Sequence, residues 1–276
     1  MKLAVSNIAW SPEEEDGVLP KLKKLGVDGI EIALTKYWKD PLSATLAEID
    51  ACKKHLNDAG FDIPAAQALL FGHPELTIFE TPEKRAQTFN YLVRICEICA
   101  RLGVGALVFG SPKNRLRGEL SLNDALSIAI EFFYNAAQRI ASTGAILCIE
   151  ANPPEYNCDF ILTTKDGLDL VKSVNHPNFR LNIDTSTIII NGEDARTVIS
   201  MSLPWTAHFH LSEPYLNTIS PQNNIYKEFA QILQEINYSG WLSMEMKREL
   251  ITSREQKLYT AVSFVRKEYI LPNRLC

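Results

Sequence analysis

The hydrophobic pattern alternates between two periods along the whole chain. Short apolar runs predict buried strands, and the longer stretches between them, where apolar residues recur every three or four positions, predict amphipathic helices. The predicted strands cover about residues 2–6, 29–32, 63–68, 106–109, 145–150, 179–183, 207–211 and 240–245. The predicted helices cover about residues 11–26, 43–59, 83–102, 121–144, 164–174, 194–200, 222–237 and 252–269.

Eight strands alternate with eight helices, and no linker or change of composition divides them. The pattern therefore predicts an α/β fold with a single domain over residues 1–276, a (β/α)8 TIM barrel, whose usual length is about 250 residues. A doubly wound open sheet is the alternative, and it requires a glycine-rich turn after the first strand. That position reads Ser6-Asn7-Ile8-Ala9-Trp10, so the barrel is favoured.

The composition is that of an ordinary globular protein, with 46% hydrophobic and 22% charged residues. A net charge of −5 provides no basic field that would attract nucleic acid or an anionic membrane surface. No apolar run approaches the roughly 20 residues that span a bilayer, and the chain enters its first strand directly. We therefore expect a cytoplasmic protein. The six scattered cysteines do not form a disulfide framework.

Strands five to eight each end on a side chain that can bind a metal ion. These residues are Glu150, Asp184, His210 and Glu245. The carboxyl ends of barrel strands meet at one mouth, so the four side chains are expected to lie together. Unrelated polar groups at loop edges are the other interpretation, but four on consecutive strands favour a metal site. His208 alternates with Phe209 on the same strand as His210 and is expected one layer deeper.

The chemistry of this set indicates the kind of metal. Three carboxylates repel one another strongly unless a divalent cation lies among them. Together with one imidazole they form an oxygen-rich site that suits Mn²⁺ or Mg²⁺, with Co²⁺ or Zn²⁺ as alternatives.

The segments around these positions resemble the xylose isomerase-like TIM-barrel superfamily, which contains sugar isomerases and epimerases and the endonuclease IV-type nucleases. The resemblance covers essentially the whole chain. It is carried by Ile149-Glu150-Ala151-Asn152, Asn182-Ile183-Asp184-Thr185, His208-Phe209-His210-Leu211 and Met244-Glu245-Met246-Lys247. The spacing of the four ligands resembles that of ketohexose 3-epimerases. The resemblance implies a divalent-metal-dependent isomerase or epimerase that acts on a sugar or a sugar phosphate.

The chain departs from the free-ketose epimerases at positions that would contact the sugar. The resemblance implies a histidine and an arginine where Thr187 and Leu216 stand, and Glu155 matches a second glutamate only loosely. The nuclease branch implies further histidines, one of them after strand four, and an aspartate where His208 stands. Without those ligands and without a basic field, a nuclease is disfavoured.

Isomerisation or epimerisation begins with removal of a proton next to a carbonyl, and a divalent metal stabilises the resulting ene-diolate. Glu150 and Glu245 flank the expected metal, so we expect them to act as the acid/base pair as well as ligands. Asp184 and His210 are then mainly ligands. A metal-dependent dehydratase of the keto-inositol or dehydroshikimate type shares the first step and is the alternative. A non-catalytic barrel that retained the fold is a further one.

Further substrate contacts are expected around the mouth. They are Glu31, Gln67, His73, Lys113, Arg115, Arg117, Asn152 and Lys247. Three of them, Lys113, Arg115 and Arg117, share one loop and predict an anionic group on the substrate, although a solvated loop is the alternative. Trp38 and Phe79 indicate either a homodimer surface or packing within loops.

Overall fold

The computed structural model describes residues 1–248 and 254–270. Within those residues, eight parallel strands form a closed barrel in which each strand pairs with the next and the eighth pairs with the first. The strands are β1 (Lys2–Ser6), β2 (Gly29–Ala33), β3 (Ala65–Gln67), β4 (Ala106–Phe109), β5 (Ile146–Glu150), β6 (Phe179–Asp184), β7 (Thr206–Ser212) and β8 (Trp241–Glu245). The predicted (β/α)8 barrel is confirmed.

The α-helices connect the strands on the outside of the barrel. In the described residues they are α1 (Glu15–Lys24), α2 (Leu46–Asp58), α3 (Pro82–Leu102), α4 (Leu122–Ile140), α5 (Thr164–Val174), α6 (Thr185–Asn191), α7 (Ala195–Ser202), α8 (Ile225–Glu235) and α9 (Arg254–Val265). A π-helical turn, Arg266–Ile270, follows α9. The predicted start of the last helix, near residue 252, lies outside the described residues. The single domain over residues 1–276 also extends beyond them and stays a prediction. None of these helices has the length and hydrophobicity needed to cross a bilayer.

Local sequence signals fix where the helices begin and end. Thr45 accepts a hydrogen bond from the backbone N–H of Glu48, and the Glu48 side chain bonds back to the Thr45 backbone, which closes a capping box at the start of α2. α3 ends at Gly103, whose φ of 88° lies in the left-handed region that favours glycine.

Two segments differ from the sequence predictions. β3 is shorter than the expected 63–68, because Pro64 stands just before it and has no N–H to contribute to a ladder. An additional helix, α6, follows β6 directly. Asp184 caps it by accepting a hydrogen bond of 3.1 Å from the Ser186 N–H.

The main hydrophobic core lies between the barrel and the surrounding helices. Phe133 on α4 packs against Phe109 on β4 and Phe179 on β6, with ring centroids 5.5 and 4.8 Å apart. Burial of each such ring stabilises the fold by about 1.5–3 kcal/mol. Phe79, considered above for a dimer surface, is only 5% exposed and packs edge-on against Phe160. The structure therefore favours loop packing for Phe79.

Candidate active site

Glu150, Asp184, His210 and Glu245 meet at the carboxyl end of the barrel. Asp184 is paired with His210 in the β6–β7 register, and Glu245 is paired with Ser212 in the β7–β8 register. The relative exposures of the four ligand candidates are 8%, 7%, 1% and 9% in chain order. Three buried carboxylates thus surround one buried imidazole, which is the arrangement that the strand ends predicted.

The His210 ring is held in one orientation by partners on both sides. Its Nε2 lies 2.9 Å from Oε1 of Glu31 on β2, across the barrel. Its Nδ1 lies 3.0 Å from Oε2 of Glu150 and 3.4 Å from Oε2 of Glu245. Burial disfavours the charged form of His210, but the carboxylates of Glu31, Glu245 and Glu150 together raise its pKa well above the ordinary value in the metal-free protein. A cation that binds Nδ1 would release the proton of that nitrogen, while Glu31 continues to accept the Nε2 proton.

The donor set fits a divalent cation. Nδ1 of His210 is buried and makes no hydrogen bond within the described residues, although it faces carboxylate oxygens. A cation among the carboxylates would take the place of the Nδ1 proton, use the lone pair of this nitrogen and neutralise the carboxylate charge. Oxygen-rich ligands with a single nitrogen suit Mn²⁺ or Mg²⁺.

Glu150 is held by two amides. Asn152 Nδ2 donates to Oε1 at 3.0 Å, and Asn182 Nδ2 donates to Oε2 at 2.6 Å. Gly110 provides the space, because a Cβ at that position would lie 2.6 Å from Oε1 of Glu150. The carboxylate therefore occupies room that only glycine leaves free.

Asp184 is held from β7 and from its own helix. Ser212 Oγ donates a hydrogen bond to Oδ1, and the Ser186 N–H donates to the same oxygen at 3.1 Å. Burial and the nearby charges of Glu150 and Glu245 raise the pKa of Asp184 to about 8 in the metal-free protein. A cation that binds here must therefore displace a proton from this carboxyl group.

The two glutamates beside His210 have opposite pKa shifts. Burial disfavours the charged form of Glu150, but His210, the Asn152 amide and the charge of Arg115 together hold its pKa below the ordinary value. Burial raises the pKa of Glu245, and the charge of His210 offsets that effect only in part. One carboxyl group is thus stabilised as the anion and the other as the neutral acid.

Beneath this layer, Glu31 joins the two histidines of β7. Glu31 is fully buried, and its Oε2 lies 3.4 Å from Nε2 of His208. The ligand atoms of Glu31, His208 and His210 all lie within 4.8 Å of one another, so this group could itself hold a cation. We favour the upper position, because the Glu31 oxygens are already matched by histidine nitrogens whereas Nδ1 of His210 has no hydrogen-bond partner. Glu31 therefore lies below the mouth and holds both histidines, and its expected role as a substrate contact stays a prediction.

The other expected substrate contacts occupy different environments. Asn152 lies in the site on Glu150, and buried Gln67 donates to Ser6 Oγ. His73 pairs with Glu75, its Nδ1 lying 2.9 Å from Oε1, and its ring centroid is 4.6 Å from that of Tyr91. Lys247 is exposed on the segment after β8.

The cations of the β4 loop do not share one environment. Lys113 is exposed, whereas Arg115 is fully buried with Nε and Nη2 lacking hydrogen-bond partners within the described residues. Arg117 donates to the backbone carbonyls of Asp159 and Leu120 at 3.1 and 2.7 Å. The hydrogen bonds of Arg117 thus connect parts of the backbone. Arg115, by contrast, lowers the pKa of Glu150 through its charge.

Several residues of the site were missed by the sequence analysis. Asn182 stands two residues before Asp184, so strand alternation alone indicates that both face the barrel interior. Ser212 follows His210 at the same interval. The Tyr156 hydroxyl lies 2.6 Å from Ser186 Oγ, beside Asp184, in a short segment after β5 where sequence periodicity gives no signal. Thr187 stands where the family resemblance implied a histidine. Its Oγ1 donates to the Ala151 carbonyl at 2.8 Å.

One described cavity lies away from the four ligand candidates. Its volume is about 540 Å³, and its lining includes Lys2, Asp62 and Trp241 at the amino-terminal end of the barrel. None of the four ligand candidates lines it. Since barrel enzymes place their chemistry at the carboxyl ends of the strands, the buried carboxylates mark the functional end.

Comparison with known proteins identifies several similar chains. The chain is 25% identical over 256 residues to D-psicose 3-epimerase of Ruminiclostridium cellulolyticum, an alignment that covers 89% of this chain and 83% of that protein. A crystal structure of D-psicose 3-epimerase in the presence of D-fructose superposes with a TM-score of 0.81 at 20% identity, covering 98% of this chain and 99% of that one. The 3-keto-D-glucoside 4-epimerase of E. coli superposes with a TM-score of 0.81 at 17% identity, covering 97% and 99%.

The structural likenesses, at identities of 20% and below, show the shared fold. These relatives support the prediction of an enzyme of the isomerase class. A family model matches residues 19–268, which is most of the chain, and its description is xylose isomerase-like TIM barrel. The chain therefore belongs to the xylose isomerase-like TIM barrel family.

Proposed function

We propose that the protein is a divalent-metal-dependent epimerase of keto sugars, in which Glu150 and Glu245 form the acid/base pair. One observation carries this proposal: two buried glutamates from β5 and β8 flank Nδ1 of His210 at 3.0 and 3.4 Å. In the metal-free protein their pKa values are shifted in opposite directions, and acid/base chemistry commonly uses two carboxyl groups in different environments.

The metal would be held by Glu150, Asp184, Nδ1 of His210 and Glu245. Bound there, a divalent cation supplies Lewis-acid stabilisation of negative charge on the carbonyl and hydroxyl oxygens of the sugar. The oxygen-rich donor set favours Mn²⁺ or Mg²⁺, with Co²⁺ or Zn²⁺ as alternatives. Glu31 fixes the tautomer of His210 that this role requires.

Glu150 and Glu245 move the protons. The Glu150 carboxylate, held ionised by the contacts of His210, Asn152 and Arg115, removes the proton from the carbon next to the carbonyl. The electron pair of the broken C–H bond moves toward the carbonyl oxygen. Glu245, on the other side of Nδ1, then returns a proton to the opposite face of the same carbon. Exchange with solvent afterwards removes the proton from Glu150 and restores one to Glu245. The net result is inversion at one carbon without oxidation or reduction, and in the reverse direction the two residues exchange roles.

The substrate class follows from the chemistry and from the relatives. D-psicose is a ketose, and a 3-keto-glucoside carries its carbonyl within a sugar ring. Both classes have a hydroxyl-bearing carbon next to a carbonyl, which is the feature that the acid/base pair needs. We therefore propose a keto sugar, with no role for nucleic acid.

Deuterium incorporation tests the proposal. The Mn²⁺-loaded protein is incubated in D₂O with a panel of free ketoses and 3-keto-glucosides, and the expected products are epimers that carry one deuterium at the inverted carbon. Glu150→Gln should abolish formation of the labelled epimer, whereas Glu131→Gln, which changes an exposed carboxylate on α4, should leave it unchanged. A product that has lost the mass of water would support the dehydratase instead. Incorporation at the wild-type rate in Glu150→Gln would refute the assignment.

A further inference from the structure

The loop after β7 has an unusual backbone. Tyr215 and Leu216 are consecutive residues with φ values of 62° and 57°, in the left-handed region that side chains other than glycine rarely adopt. Each such residue raises the free energy of the folded chain, so the conformation persists only where neighbouring contacts enforce it. Strain of this kind is concentrated at ligand-binding sites.

On one side, the loop after β7 is connected by hydrogen bonds to Asp184, one of the proposed metal ligands. The Tyr215 N–H donates a hydrogen bond of 2.8 Å to the Tyr156 hydroxyl, and that hydroxyl lies 2.6 Å from Ser186 Oγ. The Ser186 N–H in turn bonds to Asp184. Tyr215 is therefore three hydrogen bonds from a proposed metal ligand.

On the other side, the loop is fastened to the segment after β8. Lys247 stands two residues beyond Glu245, and its N–H donates to the Leu216 carbonyl at 2.8 Å. Tyr215 and Leu216 thus span the rim of the mouth between the strand that carries Asp184 and the strand that carries Glu245. Any substrate that extends outward over this side of the site must pass them.

The Tyr215 ring is presented to solvent. It is 55% exposed, and the Tyr156 ring supports it edge-on, with centroids 5.7 Å apart at an interplanar angle of 78°. The hydrogen bonds of Tyr215 and Leu216 to Tyr156 and Lys247 hold the backbone that carries this exposed ring. A positioned aromatic face is suited to the apolar C–H face of a sugar ring or to an aglycone.

The floor and the rim of the site are suited to chemically different parts of one ligand. The floor is polar and buried, since Glu150, Asp184 and Glu245 are each below 10% exposure, whereas the rim offers an exposed ring. A sugar whose reacting carbon lies among the carboxylates reaches Tyr215 only if it extends past the reacting ring. A glycoside extends in this way, and a free monosaccharide ends sooner.

We propose that Tyr215, supported by Tyr156, forms a stacking subsite for the group attached to the reacting sugar, so that the preferred substrate is a keto sugar carried as a glycoside. This inference rests on the proposed function, because it presumes that the reacting ring lies among the carboxylates. It adds a specificity-determining residue on the strand-seven loop.

Binding of unreactive analogues tests the subsite independently of turnover. The Mn²⁺-loaded protein is titrated calorimetrically with phenyl β-D-glucoside and with D-glucose, neither of which carries the keto group. The expected result is about tenfold tighter binding of the glycoside, a ratio that Tyr215→Ala reduces to near one and Tyr215→Phe retains. Tyr156→Phe, which removes the hydroxyl that holds the loop, should reduce the ratio in part.

Tyr134→Ala is the matched control, because Tyr134 is 45% exposed on α4 and far from the mouth in the fold. The inference is overturned if the glycoside has no advantage over glucose, if neither sugar binds, or if Tyr215→Ala leaves the ratio unchanged. Glycoside binding that depends on Tyr215, together with no deuterium incorporation into any keto sugar, would retain the subsite and refute the proposed epimerase chemistry.

Discussion

Glu150 and Glu245 face the same nitrogen of His210, but the barrel surrounds them differently. Glu150 receives two amide hydrogen bonds, from Asn152 and Asn182, and feels the charge of Arg115. The contacts that lower the pKa of Glu245 come from His210. β5 and β8 thus contribute the same residue type in different electrostatic surroundings. Those of Glu150 favour the anion, and those of Glu245 favour the neutral acid.

Replacing either glutamate by glutamine is expected to have the largest effect on kcat. With metal at saturation, Glu150→Gln and Glu245→Gln should each lower kcat roughly 10²- to 10⁴-fold, because each removes one proton-transfer group. Steady-state kinetics with measured metal content checks this. Retained activity in a metal-loaded variant would show that the missing carboxylate does not transfer a proton.

Gly110→Ala perturbs only the Glu150 side. The new Cβ would lie 2.6 Å from Oε1, so the carboxylate must move, and displacement of a reacting group by about 1 Å can cost up to roughly 10²-fold in rate. Gly105→Ala is the matched control, since its nearest neighbour is the Pro64 carbonyl at an ordinary 3.6 Å. If the two alanine variants have equal kcat, the close approach of Gly110 to Glu150 is irrelevant to catalysis.

Glu31→Gln tests the support that both glutamates share. An amide has one acceptor oxygen and so cannot accept from His208 and His210 as a carboxylate does, which loosens the His210 ring. Metal affinity should fall roughly 10- to 100-fold, as titration with Mn²⁺ would measure. Glu15→Gln changes another buried carboxylate, one bound to Trp10 and Tyr37, and should leave the affinity unchanged. Equal affinities in the two variants would refute the positioning role.

The smallest expected effect is that of Asp184 on the free energy of unfolding of the metal-free protein as the pH changes. The pKa of Asp184 is about 8 in the folded protein, against 3.8 ordinarily, so the folded state retains a proton that the unfolded chain releases. Stability should therefore decrease as pH rises between about 4 and 8. Asp184→Asn is uncharged throughout and should lack this component. Melting temperatures in EDTA across that range measure it, and parallel curves for the two proteins would contradict the raised pKa.

Much of the fold could be predicted from sequence because each strand is an apolar run that ends at a turn. The four ligand candidates could be predicted for the same reason, since Glu150 and Glu245 directly end such runs. The contact of Glu31 with His210 could not, because it joins β2 to β7 across the barrel and depends on closure of all the strands.

Other features escaped because tertiary contacts override local preference. The segment Thr185-Ser186-Thr187-Ile188 is rich in β-branched residues, which favour strands. Its helix is fixed by the Asp184 cap and by the Thr187 bond to Ala151. The orientation of Tyr215 likewise depends on Tyr156, 59 residues earlier in the chain.

The most direct test of the central claim is hydrogen exchange by the two glutamine variants in D₂O, with each epimer of a turned-over keto sugar supplied separately. If Glu150 and Glu245 serve opposite faces, Glu245→Gln should exchange the α-proton of the epimer that faces Glu150, without forming the other epimer. Glu150→Gln should not exchange that proton. The claim is contradicted if both metal-loaded variants label the same epimer equally, or if either interconverts the epimers at the wild-type rate.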